Sequence, residues 1–332
     1  MSEQTQHHRG TSRGLDPAGG PPAGPRHALL LGTVARRFYL EGATKVQIAD
    51  QLGLSRFKVA RLLEEALDSG LVRIEVGAPG GLDTDLSTRL AARLGLRDCL
   101  VVDTAGRSVP EARRQLGRTS ADYLAEVITP DDVLGLPWSR EVYAMVQALT
   151  TLPQVEVVQL CGAQQLPDDD ASAVEVVVQA ARLAGGRGHV FYAPLIVDGD
   201  EAARAVRRQP TVAEALAQVR RVTRAVVGIG HWAPGTSSIY DALTPPVREA
   251  VRAQGVVGEI AGVFFDAEGA AVTPELARCV VGLSDARLRA IPRVCAVVLG
   301  AAKAPAVRAA VAGGLVDSLI IDSALGEALL DG

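Results

Sequence analysis

The stretch Lys45–Leu63, KVQIADQLGLSRFKVARLL, constrains the fold more than any other part of the chain. Ile48, Ala49 and Leu52 stand three and four apart, so they share one helix face. Gly53 follows where a helix end takes left-handed geometry. Leu54 fills the gap between two helices, Ser55 is a natural N-cap, and Val59, Leu62 and Leu63 form the inward stripe of a second helix. Arg56, Phe57, Lys58 and Arg61 are left to face outward, and the small Ala49 lets the helices cross closely. The spacing Ala49, Gly53, Val59 fits a helix-turn-helix whose second helix, opening at Ser55, presents its N-terminal residues to base edges in the DNA major groove. The alternative is an ordinary packed pair with a solvated charged face. Cap, turn glycine and basic N-terminal face together favour DNA.

Charge distribution agrees with that reading. Between Arg26 and Arg73 there are eight Arg or Lys against five Asp or Glu, giving the head +3. The first 25 residues balance and the whole chain carries −4, so residues 74–332 carry −7. A basic head on an acidic body holds a polyanion by one end and keeps the remainder off the phosphates.

The chain of 332 residues suits a small head of about 50–60 residues and one large domain. Apolar residues make up 48% but aromatics only 4%, so the core is expected to be Ala, Val and Leu, as in buried parallel sheets. No apolar run is long enough to span a bilayer. Residues 1–25, with five Gly and four Pro, lack the apolar core of a signal peptide and read as a disordered tail, which places the protein in the cytoplasm. Cys99, Cys161, Cys279 and Cys295 adjoin apolar residues without metal-ligand spacing and read as buried thiols. The five His form no ligand pair at helical spacing, so neither a metal nor a cofactor is expected.

In chain order, Arg26–Leu40 reads as a helix whose stripe Leu29, Leu30, Val34 and Phe38 covers the back of the helix pair. Thr44 caps the next helix, and Leu71–Val76 alternates like a strand. The head is thus 26–76, and the Gly- and Pro-rich segment 77–81 is a linker. In 82–332, strands are expected at Cys99–Val102, Val133–Leu136, Val155–Leu160, Val190–Ala193, Ala225–Ile229, Gly262–Phe265, Val294–Leu299 and Leu319–Ile321, with helices between several of them. Such alternation predicts an α/β fold, a mostly parallel sheet covered by helices on both faces.

Ligands of such sheets bind beyond the carboxyl ends of the strands. Those loops carry Gly135, Trp138, Ser139 and Arg140 after the second strand, Gly162, Gln164 and Gln165 after the third, then Gly228, Gly230, His231 and Trp232, and finally Gly300 and Lys303. Each is weak alone: Lys303 could be a solvated lysine, the tryptophans packing residues, His231 an ordinary loop histidine. Their convergence on one rim, cations with helix-start amides, a hydroxyl, side-chain amides and aromatic surface, is the lining expected for a phosphorylated polyol.

The chain resembles the SorC family of sugar-responsive bacterial transcription regulators over nearly all its length beyond the tail. The resemblance is carried by FYLEGATKVQIADQLGLSRFKVARLL and VRIEV in the head, then by VVQLCG, VFYAPL, VGEIAGVFFDAEG and AAKAPAVRAAVAGGLVDSLIID, in that order. It implies an effector domain folded like sugar-phosphate isomerases and amino-sugar-phosphate deaminases, a phosphorylated sugar as effector, and a dimer or tetramer on a palindromic operator. By the same resemblance Lys303 and Gly300 serve a phosphate, and Glu259 and Asp266 match acidic positions suited to sugar hydroxyls. Two loops depart from the family pattern: Ser139-Arg140 stands where Gly-Thr is common, and Gly162-Ala163 replaces a Gly-Gly pair. The competing expectation is an enzyme acting on a sugar phosphate, with Glu259, Asp266 or His231 as acid and base; it leaves the helix-turn-helix without a purpose.

Overall fold

Residues 24–73, 81–164 and 172–331 are described by the computed structural model. The chain divides into two units, Met1–Gly77 and Ala78–Gly332. The expected tail thus lies outside the described residues except for Gly24 and Pro25, as do 74–76 of the expected head strand and 77–80 of the expected linker.

Three helices build the head: α1 (Pro25–Tyr39), α2 (Lys45–Leu52) and α3 (Arg56–Asp68). The Thr44 hydroxyl accepts from the Gln47 amide while the Gln47 side chain accepts from the Thr44 amide, closing the first turn of α2. Gly53 ends α2 at φ +64°, and the Ser55 hydroxyl caps α3 by accepting from the Lys58 amide at 3.2 Å. Ile48, Ala49, Val59, Leu62, Leu63 and Ala66 bury against Leu31, Val34 and Ala35 of α1. The stripe of α1 is rotated from the expected one: Leu29 is exposed, and Leu31 takes its place in the core. The expected strand is absent over 71–73, because the Val72 amide donates to the Ala66 carbonyl at 2.8 Å and folds the chain back over the end of α3.

The second unit is organised by a seven-stranded, wholly parallel sheet. Its strands are β1 (Asp98–Val102), β2 (Val133–Leu136), β3 (Glu156–Gln159), β4 (Gly188–His189), β5 (Arg224–Val227), β9 (Arg293–Val298) and β10 (Ser318–Asp322), in the order β1-β10-β9-β5-β2-β3-β4. Alternate residues feed two cores on opposite faces: Val101, Ile321 and Ala296 on one, Val102, Ile320 and Val297 on the other. This explains the runs of Val and Ile without polar alternation. Among the covering helices are α4 (Thr84–Leu94), α5 (Val109–Val127), α6 (Arg140–Ala148) and α7 (Ala173–Ala184).

Beside this sheet stands a small antiparallel one of β6 (Gly230–His231), β7 (Gly258–Ile260) and β8 (Val263–Phe265). The strand expected at 225–229 ends at Val227, with β6 following from Gly230 in the other sheet, and 262–265 joins a hairpin rather than the parallel sheet. The β7–β8 turn is Ala261-Gly262, both with positive φ, as a two-residue hairpin requires. The strand expected at Val190–Ala193 is also corrected. Only Gly188 and His189 pair with β3, after which the buried Gln159 side chain accepts from the Phe191 amide at 3.1 Å and takes over from the ladder.

Candidate functional site

Two surfaces of the molecule gather charged side chains that the fold itself does not use. The first is the outer face of α3. Ser55, Arg56, Phe57, Lys58 and Arg61 are all exposed, Phe57 by 78%, while Val59, Leu62 and Leu63 hold the opposite face in the core. A capped helix that turns three cations and an unburied aromatic ring to one side has the form of a recognition helix.

The second is a cavity of about 260 Å³ in the large unit, at the carboxyl ends of β2, β3, β5 and β9. It is built where each strand gives way to its following loop. After β2, Ser139 caps α6 by accepting from the Val142 amide at 3.0 Å, which sets Arg140 and Glu141 at the start of that helix. After β3, Gly162 lies so close to the Pro194 carbonyl that a Cβ would meet it at 2.4 Å. After β9, Gly300 at φ +104° leads into the turn bearing Lys303, and its amide donates to Asp322 at 2.7 Å. The ends of these strands thus place much of the lining.

Of the residues singled out in the sequence, Trp138, Ser139, Arg140, Gly162, Gln164, Glu259, Gly300 and Lys303 line this cavity. Gln164 is fixed in place, its side-chain amide donating to the Ser238 carbonyl at 2.7 Å and accepting from the Ser238 hydroxyl at 3.1 Å. Trp138 is buried, and its indole N–H has no acceptor among the described residues.

Four others lie elsewhere. Gly135 is enclosed within β2, where a Cβ would meet Val222 at 2.8 Å and Leu160 at 2.9 Å; it is a packing glycine. His231 belongs to β6, with Nδ1 2.9 Å from the Val257 carbonyl. The Asp266 carboxylate closes a turn by accepting from the amides of Glu268 and Ala270. Trp232 donates from Nε1 to the Arg248 carbonyl and packs edge-to-face on Tyr240 and Phe264, in a core that adjoins the cavity through Cys161, Leu195 and Ile239 without Trp232 itself lining it. Gln165 lies outside the described residues.

Polar lining residues that were not singled out in the sequence include Glu141, Arg113 and Ser237. Glu141 is buried, with Oε1 3.5 Å from Arg113 Nε and Oε2 3.9 Å from Lys303 Nζ. Arg113 comes from α5 and Ser237 from the loop after β6. Ser237 donates to Glu259 Oε1 at 3.0 Å, and the Gly262 amide donates to Oε2 at 3.2 Å. Burial pushes the Glu259 carboxyl above its usual range, against the pull of the Gly262 amide, the Ser237 hydroxyl and the Lys303 charge. The same burial pushes the Cys161 thiol, also in the lining, up to about 12, so it is no nucleophile at neutral pH. Cys99 and Cys295 are likewise buried, whereas Cys279 is half-exposed, unlike the expectation for all four.

An exposed cationic helix face in one unit and a cation-lined cavity in the other are the features of the class of ligand-responsive DNA-binding regulators. Comparison with known proteins gives the family. The model described as "Putative sugar-binding domain" matches residues 81–331, well over half of the chain. The transcriptional regulator YjhU of Escherichia coli K12 is 29% identical over 303 residues, covering 88% of this chain and 92% of that one. The transcriptional regulator LsrR of the same strain is 27% identical over 304 residues, covering 90% and 93%. Among solved structures, the full-length sorbitol operon regulator SorC of Klebsiella pneumoniae superposes with a TM-score of 0.68 at 21% identity, over 91% of this chain and 98% of that one. The chain belongs to the SorC family of sugar-binding transcriptional regulators. These relatives and neighbours are named as regulators and not as enzymes. Among the described residues no helix is long and apolar enough to cross a membrane.

Proposed function

We propose that the protein regulates a carbohydrate-metabolism operon, that its effector is a phosphorylated sugar held in the cavity at the strand ends, and that it assembles as a dimer or tetramer on palindromic operator DNA in the cytoplasm. The observation that carries this reading is the convergence of Arg113, Arg140 and Lys303 on one cavity beside the start of α6. An anion placed there gains charge-assisted hydrogen bonds and the favourable end of a helix dipole. Trp138 and Gln164 supply the aromatic wall and polar groups that a sugar needs, and Glu259 an acceptor or donor for its hydroxyls. Gly300 provides the close backbone approach.

On DNA, Arg56 and Arg61 are placed to reach guanine edges or phosphates, Lys58 phosphates, Phe57 a thymine methyl, and the Ser55 hydroxyl the backbone. An effector shifts such an oligomer only through differential affinity for two arrangements of its heads. The test is to titrate the full chain with sugars and their phosphate esters while measuring its binding to duplexes selected from a random library. Release or tightening by an ester and not by its parent sugar supports the reading. Equal response to both removes the phosphate from it.

A further inference from the structure

A carboxylate inside an anion-binding cavity calls for a reason, and Glu141 is such a carboxylate. Its side chain is only 6% exposed, and it stands between Arg113 and Lys303. The two contacts, at 3.5 and 3.9 Å, are longer than the roughly 2.7–2.9 Å of a tight charge-assisted bond. They are loose Coulombic pairs. Each cation keeps donors that can turn to an incoming anion, since an ammonium has three N–H groups and a guanidinium five. Glu141 thus holds the two cations at the cavity without saturating them.

Charge then sets a limit. Arg113, Arg140 and Lys303 against Glu141 leave a formal surplus of two positive charges among the lining residues before Glu259 is counted. A phosphate monoester carries about −1.5 to −2 near neutral pH, which that surplus matches. If Glu259 ionised, the surplus would fall to one, so the limit only tightens. A second phosphoryl group would find no further cation in the lining and would sit near the buried Glu141, whose charge is screened less than one on the open surface. Specificity of this kind comes from a built-in repulsion rather than an added attraction.

Resting on the phosphate-site reading above, we propose that Glu141 is a fixed negative charge restricting the cavity to effectors with a single phosphoryl group. A purely structural role is distinguishable. If Glu141 only orients Arg113 and Lys303, its loss weakens every anion alike; if it sets a charge limit, its loss favours the more highly charged anion.

The experiment uses the full chain, wild type and Glu141→Gln, titrated calorimetrically with inorganic phosphate and with inorganic pyrophosphate at neutral pH. These probes do not depend on knowing the sugar. The wild type is expected to bind pyrophosphate no more tightly than phosphate, a result that needs no variant and is safe from misfolding. Glu141→Gln, checked by its melting curve, is expected to gain tenfold or more for pyrophosphate and distinctly less for phosphate. A wild type that prefers pyrophosphate tenfold overturns the proposal, as does a variant that loses both anions equally. Binding of neither anion to either protein, with binding of an unphosphorylated sugar, overturns the phosphate-site reading itself and this limit with it.

Discussion

Two helices of this protein begin with the same two residues and are put to different use. α3 opens with Ser55-Arg56 and α6 with Ser139-Arg140, and in both the serine hydroxyl caps the amide three residues on, at 3.2 and 3.0 Å. At α3 the residues that follow, Phe57 and Lys58, are exposed. At α6 the next residue is the buried Glu141, and the arginine lines a cavity. In the roles proposed above, the first arrangement leaves its cations to the long-range, salt-sensitive field of a polyanion. The second sets them beside a counter-charge, so that a small ligand is judged by its charge. Burial, more than local sequence, separates the two uses.

The comparison breaks most visibly if the two regions are not independent in effect. Lys303→Ala removes a cation of the cavity and is expected to abolish the response to effector while operator affinity without effector stays at the wild-type value; both are read in one DNA-binding titration. Arg56→Ala is expected to do the reverse, lowering operator affinity by about tenfold to a hundredfold with effector affinity unchanged. Phe57→Ala should cost little stability, since the ring is exposed, yet lower operator affinity by about 1 kcal/mol, an effect absent on a duplex with deoxyuridine in place of the contacted thymine.

Smaller effects test the local physics. Because burial raises the Glu259 carboxyl, the folded state holds that proton more firmly than the unfolded chain does. Its contribution to stability is therefore complete below the ordinary 4.5 and lost as pH rises through the folded value. Melting curves of Glu259→Gln and wild type should separate in favour of the variant as pH rises, and converge in acid. Smallest of all, Ala261 holds φ +52° in the β7–β8 turn, and Ala261→Gly is expected to raise stability by about 1 kcal/mol in a urea titration.

The head was readable because its signals are local. Thr44, Gly53 and Ser55 lie within a few residues of the amides and turns they serve, and the stripe of α3 follows one period. The parallel strands other than β4 were readable for a related reason, each carrying a short apolar run. The small antiparallel sheet was not, since Gly230–His231 and Gly258–Ile260 are too short and glycine-bearing to announce strands. Missing it misplaced His231, Trp232 and Asp266, which sit on or beside β6–β8, where His231 meets the Val257 carbonyl, Trp232 enters a core and Asp266 closes a turn. Glu141 and Arg113 escaped for another reason. An acid in the first turn of a helix is ordinary, and nothing local shows that a residue of α5 and a lysine near the end of the chain meet it.

The cations of the cavity, and not the exposed ones of α3, are proposed to recognise the effector through its phosphate. Tryptophan fluorescence tests this most directly, because Trp138 lines the cavity while Trp232 is not among its lining residues and donates its indole N–H to the Arg248 carbonyl. Titration of the full chain with phosphorylated sugars and their parent sugars should give a saturable change with an ester only, and Lys303→Ala should erase it while Arg56→Ala leaves it intact. A saturable change with the parent sugar that survives Lys303→Ala would contradict the account.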